Sequence, residues 1–283
     1  MKLLRYGDIG SERPGRLDEE DRIRDLGVII DDIDRFALNP DTLARIKAVD
    51  PLSLPKVSGT PRVGACVARP EKFIGIGLNY YDHAVEMNMD IPKEPVVFLK
   101  SPSCICGPFD PYEMPRAPAK LDWEVELGVV IGTRAKNISQ NDALAHVAGY
   151  CVVNDGSERI RQLESGGQWT KGKSHDSFGP LGPWLVTRDA LPDTGNLWLR
   201  TQVDGQIMQD GSTGTMIFSV PEIIAYLSSL MTLMPGDVIA TGTPPGVGTG
   251  KKPEPTFLKT GQTLELEIER LGVQRHKVVD SRG

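Results

Sequence analysis

A chain of 283 residues with 39% hydrophobic and 25% charged residues has the composition of an ordinary globular protein with room for a substantial core. A net charge of −6 argues against nucleic acid or an anionic membrane as the main partner, and no apolar run approaches the roughly twenty residues of a membrane span. No charged-then-apolar leader follows Met1, so the cytoplasm is the default location.

Four cysteines, Cys66, Cys104, Cys106 and Cys151, are too few for a disulfide framework and lack the paired spacing of a structural zinc site. Only four histidines are present, which leaves little material for a zinc-type histidine cluster.

Residues 1–62 read as a small N-terminal domain. Residues 2–6 form a strand, residues 15–17 and 22–26 flank an acidic turn as a hairpin does, and a short helix over 41–48 follows the Asn39-Pro40 start signal. Residues 51–61, rich in proline, read as a linker.

Residues 63–283 carry the chemistry. An apolar strand ends at Gly75-Ile76-Gly77, Asn79 is placed as an N-cap, and a short helical turn follows. The two glycines lack the third glycine and downstream helix of a dinucleotide fingerprint. His83 and Glu86 lie three positions apart, which puts them within contact on one helical face. A carboxylate beside an imidazole fixes its tautomer and raises its basicity, the usual way to make a base for water; an exposed surface pair has the same spacing. Residues 91–118, with a strand over 95–100, suggest a loop that covers something.

Residues 121–127 alternate strictly between apolar and polar, which places Asp122, Glu124 and Glu126 on one strand face. Same-face carboxylates sit roughly 7 Å apart and repel by about 2 kcal/mol per pair at an effective dielectric near 20. A hard divalent cation relieves that repulsion directly. A solvated strand has the same pattern, as Glu265, Glu267 and Glu269 show. A helix is expected over 141–147, and an apolar strand over 148–155 ends at Asp155, positioned to add a third oxygen ligand. Residues 157–162 have helical character, and residues 168–183 read as a polar loop able to place a lysine over an anion. A hairpin over 197–208, a helix opened by the capping box at Ser219 and Glu222, a strand over 238–240, a glycine- and proline-rich loop over 241–248 and two closing strands over 263–279 complete the chain.

Together these segments resemble the bacterial branch of the fumarylacetoacetate hydrolase family. The resemblance rests on Gly77-Leu78-Asn79-Tyr80 through His83 and Glu86, Asp122-Trp123-Glu124-Val125-Glu126-Leu127-Gly128, and Asn154-Asp155 with Ser157-Glu158-Arg159 and Gln162. It continues through Gln168-Trp169-Thr170-Lys171-Gly172-Lys173-Ser174, Gly182-Pro183-Trp184, Pro235-Gly236-Asp237 and Thr241-Gly242-Thr243-Pro244-Pro245-Gly246-Val247-Gly248, so that it spans roughly residues 66–283.

The resemblance implies an α+β fold, a mixed β-sandwich roll behind a small N-terminal domain, assembled as a homodimer. It places Glu124, Glu126 and Asp155 on the family's Mg²⁺ or Mn²⁺ ligands and His83 and Glu86 on its water-activating pair, carried on a lid. Lys173 falls on a catalytic position, and Gln162, Thr243 and Tyr80 on substrate contacts, Thr243 on the loop that holds a substrate carboxylate. Departures at Gly156, Ile160-Arg161 and His175 bear on substrate shape and loop mobility. The implied reaction is hydrolytic cleavage of a carbon–carbon bond in a 2,4-dioxo acid, an acylpyruvate or a 2,4-dioxo-3-deoxy sugar acid, releasing pyruvate. The same chemistry supports a ureidoglycolate lyase, a 2-hydroxyhepta-2,4-diene-1,7-dioate isomerase or an oxaloacetate decarboxylase. A protein that binds without turnover on this fold is disfavoured by the completeness of the residue set.

Overall fold

The computed structural model describes residues 1–116 and 119–281. Its strand segments assemble into two large packed sheets and a two-stranded ribbon of Leu121–Asp122 with Ser157–Glu158. The larger has eleven strands, and its main path runs Ile23–Asp25, Arg13–Leu17, Lys2–Tyr6, Gly179–Thr187, Val147–Asn154, Val125–Ile131, Val238–Ala240, Phe73–Gly77 and Val96–Lys100. The smaller has five strands, in the order Gln206–Ser212, Trp198–Val203, Thr263–Ile268, Gly272–Asp280 and Tyr112–Met114. Most pairings are antiparallel; Val238–Ala240 runs parallel to Phe73–Gly77, and Gly272–Asp280 parallel to Tyr112–Met114. The result is a mixed, sheet-rich α+β fold.

Val125–Ile131 packs against Trp198–Val203, and Gly179–Thr187 against Gly272–Asp280. Between the sheets lies a core in which Val125, Leu127, Val152, Leu199, Leu264 and Leu266 are fully buried. Central strands such as Val125–Ile131 and Val147–Asn154 are buried along their whole length, as expected of strands covered on both faces. The helix Val220–Leu230 opens on the expected capping box at Ser219 and Glu222 and buries Ile223, Ile224 and Leu227.

The first 62 residues do not form a sheet of their own. Lys2–Tyr6 pairs with Gly179–Thr187, with Leu3 opposite Leu185, so the expected hairpin of Arg13–Leu17 and Ile23–Asp25 extends the large sheet. The helix Pro40–Ala48 forms as expected, capped by Asn39.

Other expectations are revised. The helix over 141–147 is a single turn, Gln140–Ala143, followed by a 3-10 turn, Leu144–His146. Residues 91–118 hold three short strands rather than one, and Ala117-Pro118 lie outside the described residues. Among the described residues no helix is long and apolar enough to cross a membrane, and the four cysteines are free.

Candidate active site and metal centre

The site gathers at one end of the large sheet. Val125 pairs with Asn154 across adjacent antiparallel strands, which brings Glu124 beside Asp155 at their ends. Asp155 N–H donates to the Glu124 carbonyl at 3.0 Å, and Glu124 N–H to Asn154 Oδ1 at 3.0 Å, fixing that meeting. Glu126 lies two residues further along. One carboxylate oxygen from each of Glu124, Glu126 and Asp155 falls within 4.8 Å of the other two.

The alternation that suggested this face does not continue through it. The strand breaks at Trp123 and Glu124, between Leu121–Asp122 and Val125–Ile131, and every residue of 121–127 is buried. Polarity alternates while burial does not, so each carboxylate is taken out of water and needs a partner.

Asp122 stands outside the three-carboxylate cluster and is joined to it through Arg159. It accepts the backbone N–H groups of Gly248 at 2.6 Å and Thr249 at 3.0 Å, and Arg159 Nε at 2.8 Å. Arg159 Nη2 then lies 2.7 Å from both Asp122 Oδ2 and Glu124 Oε1, ion pairs whose angles fall outside hydrogen-bond geometry. Lys173 Nζ, 1% exposed, donates to Glu124 Oε2 and Asp155 Oδ2, each at 2.6 Å. Lys100 Nζ holds the other oxygen, Asp155 Oδ1, at 2.6 Å, and also donates to the Lys173 carbonyl.

Four buried carboxylates, Asp122, Glu124, Glu126 and Asp155, thus face three buried cations, Lys100, Arg159 and Lys173. Among the described residues Glu126 is the one of these four without a paired cation; its Oε2 accepts the N–H of Gly242. Burial, then Asp155 and Glu124, push its carboxyl well above the usual range. For Glu124 burial acts in the same direction, but Lys173 and Arg159 bring it down to about 2. Burial opposes the charge on Lys173, and Asp155 and Glu124 more than restore it. Converging hard oxygen donors with unbalanced negative charge fit a divalent cation of the Mg²⁺ or Mn²⁺ type.

His83 is carried on the helix Tyr81–Glu86, and its Nδ1 lies 2.9 Å from Glu86 Oε2. Facing a carboxylate, Nδ1 holds the proton of the neutral ring, which leaves Nε2 to accept one. One cleft is lined by His83 together with Glu124, Glu126, Asp155, Lys173, Gln162 and Thr243. Gln162 sits on the π-helical turn Ile160–Glu164. Its Oε1 accepts Arg159 Nη1 at 2.8 Å, and no described hydrogen bond uses its Nε2. Lys173 ends the one-turn helix Thr170–Lys173, in a segment expected to be loop. Thr243 reaches the cleft, but its hydroxyl donates to the Val125 carbonyl and accepts Gln209 Nε2, so that donor is committed to the framework.

Tyr80 is not brought into the cleft. It is fully buried just before the helix Tyr81–Glu86, its hydroxyl has no partner among the described residues, and burial and then Glu126 raise its pKa well above the ordinary phenol range. Asn79 is not the helix cap either. Tyr80 holds that position, and the Asn79 amide spans the Phe218 and Thr241 carbonyls. The glycines at 75 and 77 have a packing reason. A Cβ there would lie 2.2 Å from the Phe98 ring and 2.3 Å from the Trp169 ring, so their absence lets both rings line the cleft.

Residues 72–279 match the model of the fumarylacetoacetate (FAA) hydrolase C-terminal family. The chain belongs to the fumarylacetoacetate hydrolase family. A Burkholderia ambifaria protein named "Putative hydrolase" is 59% identical over 282 residues, covering 100% of both chains. Among solved structures, 2-hydroxyhepta-2,4-diene-1,7-dioate isomerase from Mycobacterium marinum is 31% identical, with a TM-score of 0.74 over 100% of both chains. Maleylpyruvate hydrolase from Sphingobium sp. SYK-6, in complex with manganese(II) and pyruvate, is 27% identical, with a TM-score of 0.83 over 100% of both chains. This fumarylacetoacetate hydrolase fold therefore serves both hydrolases and isomerases.

Sequence reasoning missed Lys100 and gave Arg159 no role. Each does its work through carboxylates distant in sequence, Asp155 at 55 residues and Asp122 at 37.

Proposed function

We propose that this chain is a metal-dependent hydrolase that cleaves a carbon–carbon bond in a 2,4-dioxo acid and releases pyruvate. The observation that carries this reading is the single cleft holding both a carboxylate-backed histidine and the three-carboxylate cluster with Lys173. The maleylpyruvate hydrolase bound to manganese and pyruvate supports it by analogy. Glu124, Glu126 and Asp155 are the proposed ligands of Mg²⁺ or Mn²⁺.

Glu124, Glu126 and Asp155 would hold a divalent ion, which would supply positive charge beside the 2-oxo group of the substrate. His83 Nε2 takes a proton from water as the water oxygen adds to the 4-carbonyl. Glu86, on the far side of the ring, stabilises the imidazolium that forms. The bond between C3 and C4 then breaks; its electron pair passes to C3 and delocalises onto the 2-oxo oxygen as the enolate of pyruvate. The Lys173 ammonium in the same cleft opposes that negative charge. Protonation at C3 gives pyruvate, and the C4 fragment leaves as a carboxylic acid. Gln162, through its free amide, is the proposed side-chain contact to the substrate carboxylate. The reading carries with it a homodimer built on a sandwich roll.

Isomerisation is the second reading, favoured by the likeness to the Mycobacterium marinum isomerase. Incubating the Mg²⁺-loaded protein with acylpyruvates, 2,4-dioxo sugar acids, oxaloacetate and ureidoglycolate in H₂¹⁸O tests both. The expected result is pyruvate together with a carboxylic acid that carries one ¹⁸O. Product without cleavage, or no pyruvate from any dioxo acid, overturns the hydrolase reading.

A further inference from the structure

We infer that the outer half of the cleft selects 2-oxo acids with an uncharged, apolar tail and disfavours those with a second carboxylate at the far end. The inference rests on the site proposed above for the 2-oxo acid head, and adds the chemistry of the remainder of the substrate.

The cleft is divided by polarity. Its buried, inner residues are the carboxylate cluster, Arg159, Gln162, Lys173 and Phe98, with Lys173 Nζ 5.2 Å from the Phe98 ring centroid; its outer residues, Leu78, Met87, Met89, Leu163 and Trp169, are partly exposed or exposed. Lys173 and Arg159 are the lysine and arginine of that lining, and both lie at the inner end within 2.7 Å of carboxylates. A tail carboxylate along Leu78, Met87, Met89, Leu163 and Trp169 would therefore meet apolar side chains, while the lysine and arginine of the lining are already paired with carboxylates. An alkyl or aryl tail in the same place buries apolar surface on both sides.

The apolar wall is held in place by its surroundings. Phe98 and Trp169 meet edge to face with ring centroids 5.5 Å apart, each seated over a glycine. Leu78 is held at φ 52°, a left-handed conformation uncommon for a residue with a side chain. Leu163 and Met89 are 46% and 47% exposed, so a bound tail would cover apolar surface that water now touches. Two methionines add a wall that adapts to tails of different shape.

The test compares two ligands that share the head and chain length and cannot be cleaved, because neither has a 4-carbonyl. Calorimetric titration of the Mg²⁺-loaded protein should give 2-oxooctanoate an affinity higher than that of 2-oxooctanedioate by about tenfold or more. Leu163→Arg should narrow that ratio. Val28→Arg, on an exposed position following the opposite edge strand of the large sheet, adds the same charge and should leave the ratio unchanged. Equal or tighter binding of the dicarboxylate, no binding of either ligand, or an equal response to both substitutions overturns the inference. Acylpyruvate turnover is scored separately: tail preference without turnover sinks the hydrolase reading alone, and turnover without tail preference sinks this inference alone.

Discussion

Glu86 Oε1 accepts the backbone N–H of Gly246 at 2.9 Å, while Oε2 of the same carboxylate lies 2.9 Å from His83 Nδ1. One side chain thus orients the candidate base and fastens its helix to the loop beyond Val238–Ala240. That loop is itself tied to Asp122 through the N–H groups of Gly248 and Thr249, and Asp122 to Arg159 beside Glu124. The helix Tyr81–Glu86, the loop and the carboxylate cluster are linked by contiguous hydrogen bonds and ion pairs.

Replacing Glu86 separates these two duties. Glu86→Gln keeps an oxygen to accept the Gly246 N–H but loses the charge that stabilises the imidazolium, whereas Glu86→Ala loses both. We expect kcat to fall by about 10²–10⁴-fold in the alanine variant, with a smaller loss in the glutamine variant and little change in melting temperature for either. Steady-state kinetics on a cleaved acylpyruvate checks this; equal kcat in wild type and Glu86→Ala would sink the role given to Glu86.

Glu126 gives a test that needs no substrate. Its carboxylate is the member of the cluster without a cation, and Glu126→Gln retains an acceptor for the Gly242 N–H. Metal-free Glu126→Gln should melt at or above the wild-type temperature, because it removes an unbalanced buried charge. Mg²⁺ or Mn²⁺ at a hundredfold excess over Kd should stabilise the wild type by about 2.7 kcal/mol, a rise of roughly 5–10 °C. The variant should show little or none of that rise. An equal metal-dependent rise in both proteins would remove Glu126 from the ligand set.

What the sequence made legible was local. His83 and Glu86 are three residues apart, Glu124 and Glu126 two, and Asp155 stands at the end of an apolar run, so each could be nominated from local pattern, while the meeting of Asp155 with the two glutamates comes from the pairing of Val125 with Asn154. Lys100 closes the strand Val96–Lys100 with no local pattern to mark it; only the fold brings it to Asp155, where it is 2% exposed. The same holds for Arg159 and Asp122. Tyr80 shows the reverse, since it stands inside a recognisable motif but the backbone turns it into the core. The N-terminal strands were recognised as strands, but their pairing with Gly179–Thr187 joins residues about 180 positions apart, a separation periodicity does not encode.

Lys100 is predicted to be needed for the fold of the site. Lys100→Met leaves Asp155 Oδ1 and the Lys173 carbonyl without that donor in a buried setting. Breaking a buried ion pair from one side destabilises by about 3–5 kcal/mol, so the melting temperature should drop by roughly 10 °C. Lys100→Met combined with Asp155→Asn should recover part of the loss, because the unpaired charge is gone. Additive losses in the double variant would show that the two side chains act independently.

The last prediction concerns His276, fully buried on the strand Gly272–Asp280 and outside the cleft. Its Nδ1 donates to the Asp110 carbonyl at 2.8 Å, and burial holds its pKa down to about 4 against that carbonyl and the Asp110 charge. An unfolded chain binds a proton at this residue near pH 6.5, which the folded chain refuses until about pH 4. Between those values the unfolded state carries the extra proton, so stability is full above pH 6.5 and falls as the pH drops toward 4. The complete loss is of order 3 kcal/mol. Carboxylates titrate in the lower part of that window as well, so the informative quantity is a difference between proteins. His276→Gln cannot take up this proton. It should be less stable than the wild type at pH 7.5 through lost packing, yet its urea midpoint should decline less steeply between pH 6.5 and 4.5. Parallel declines in the two proteins would show that His276 does not set the acid sensitivity of the fold.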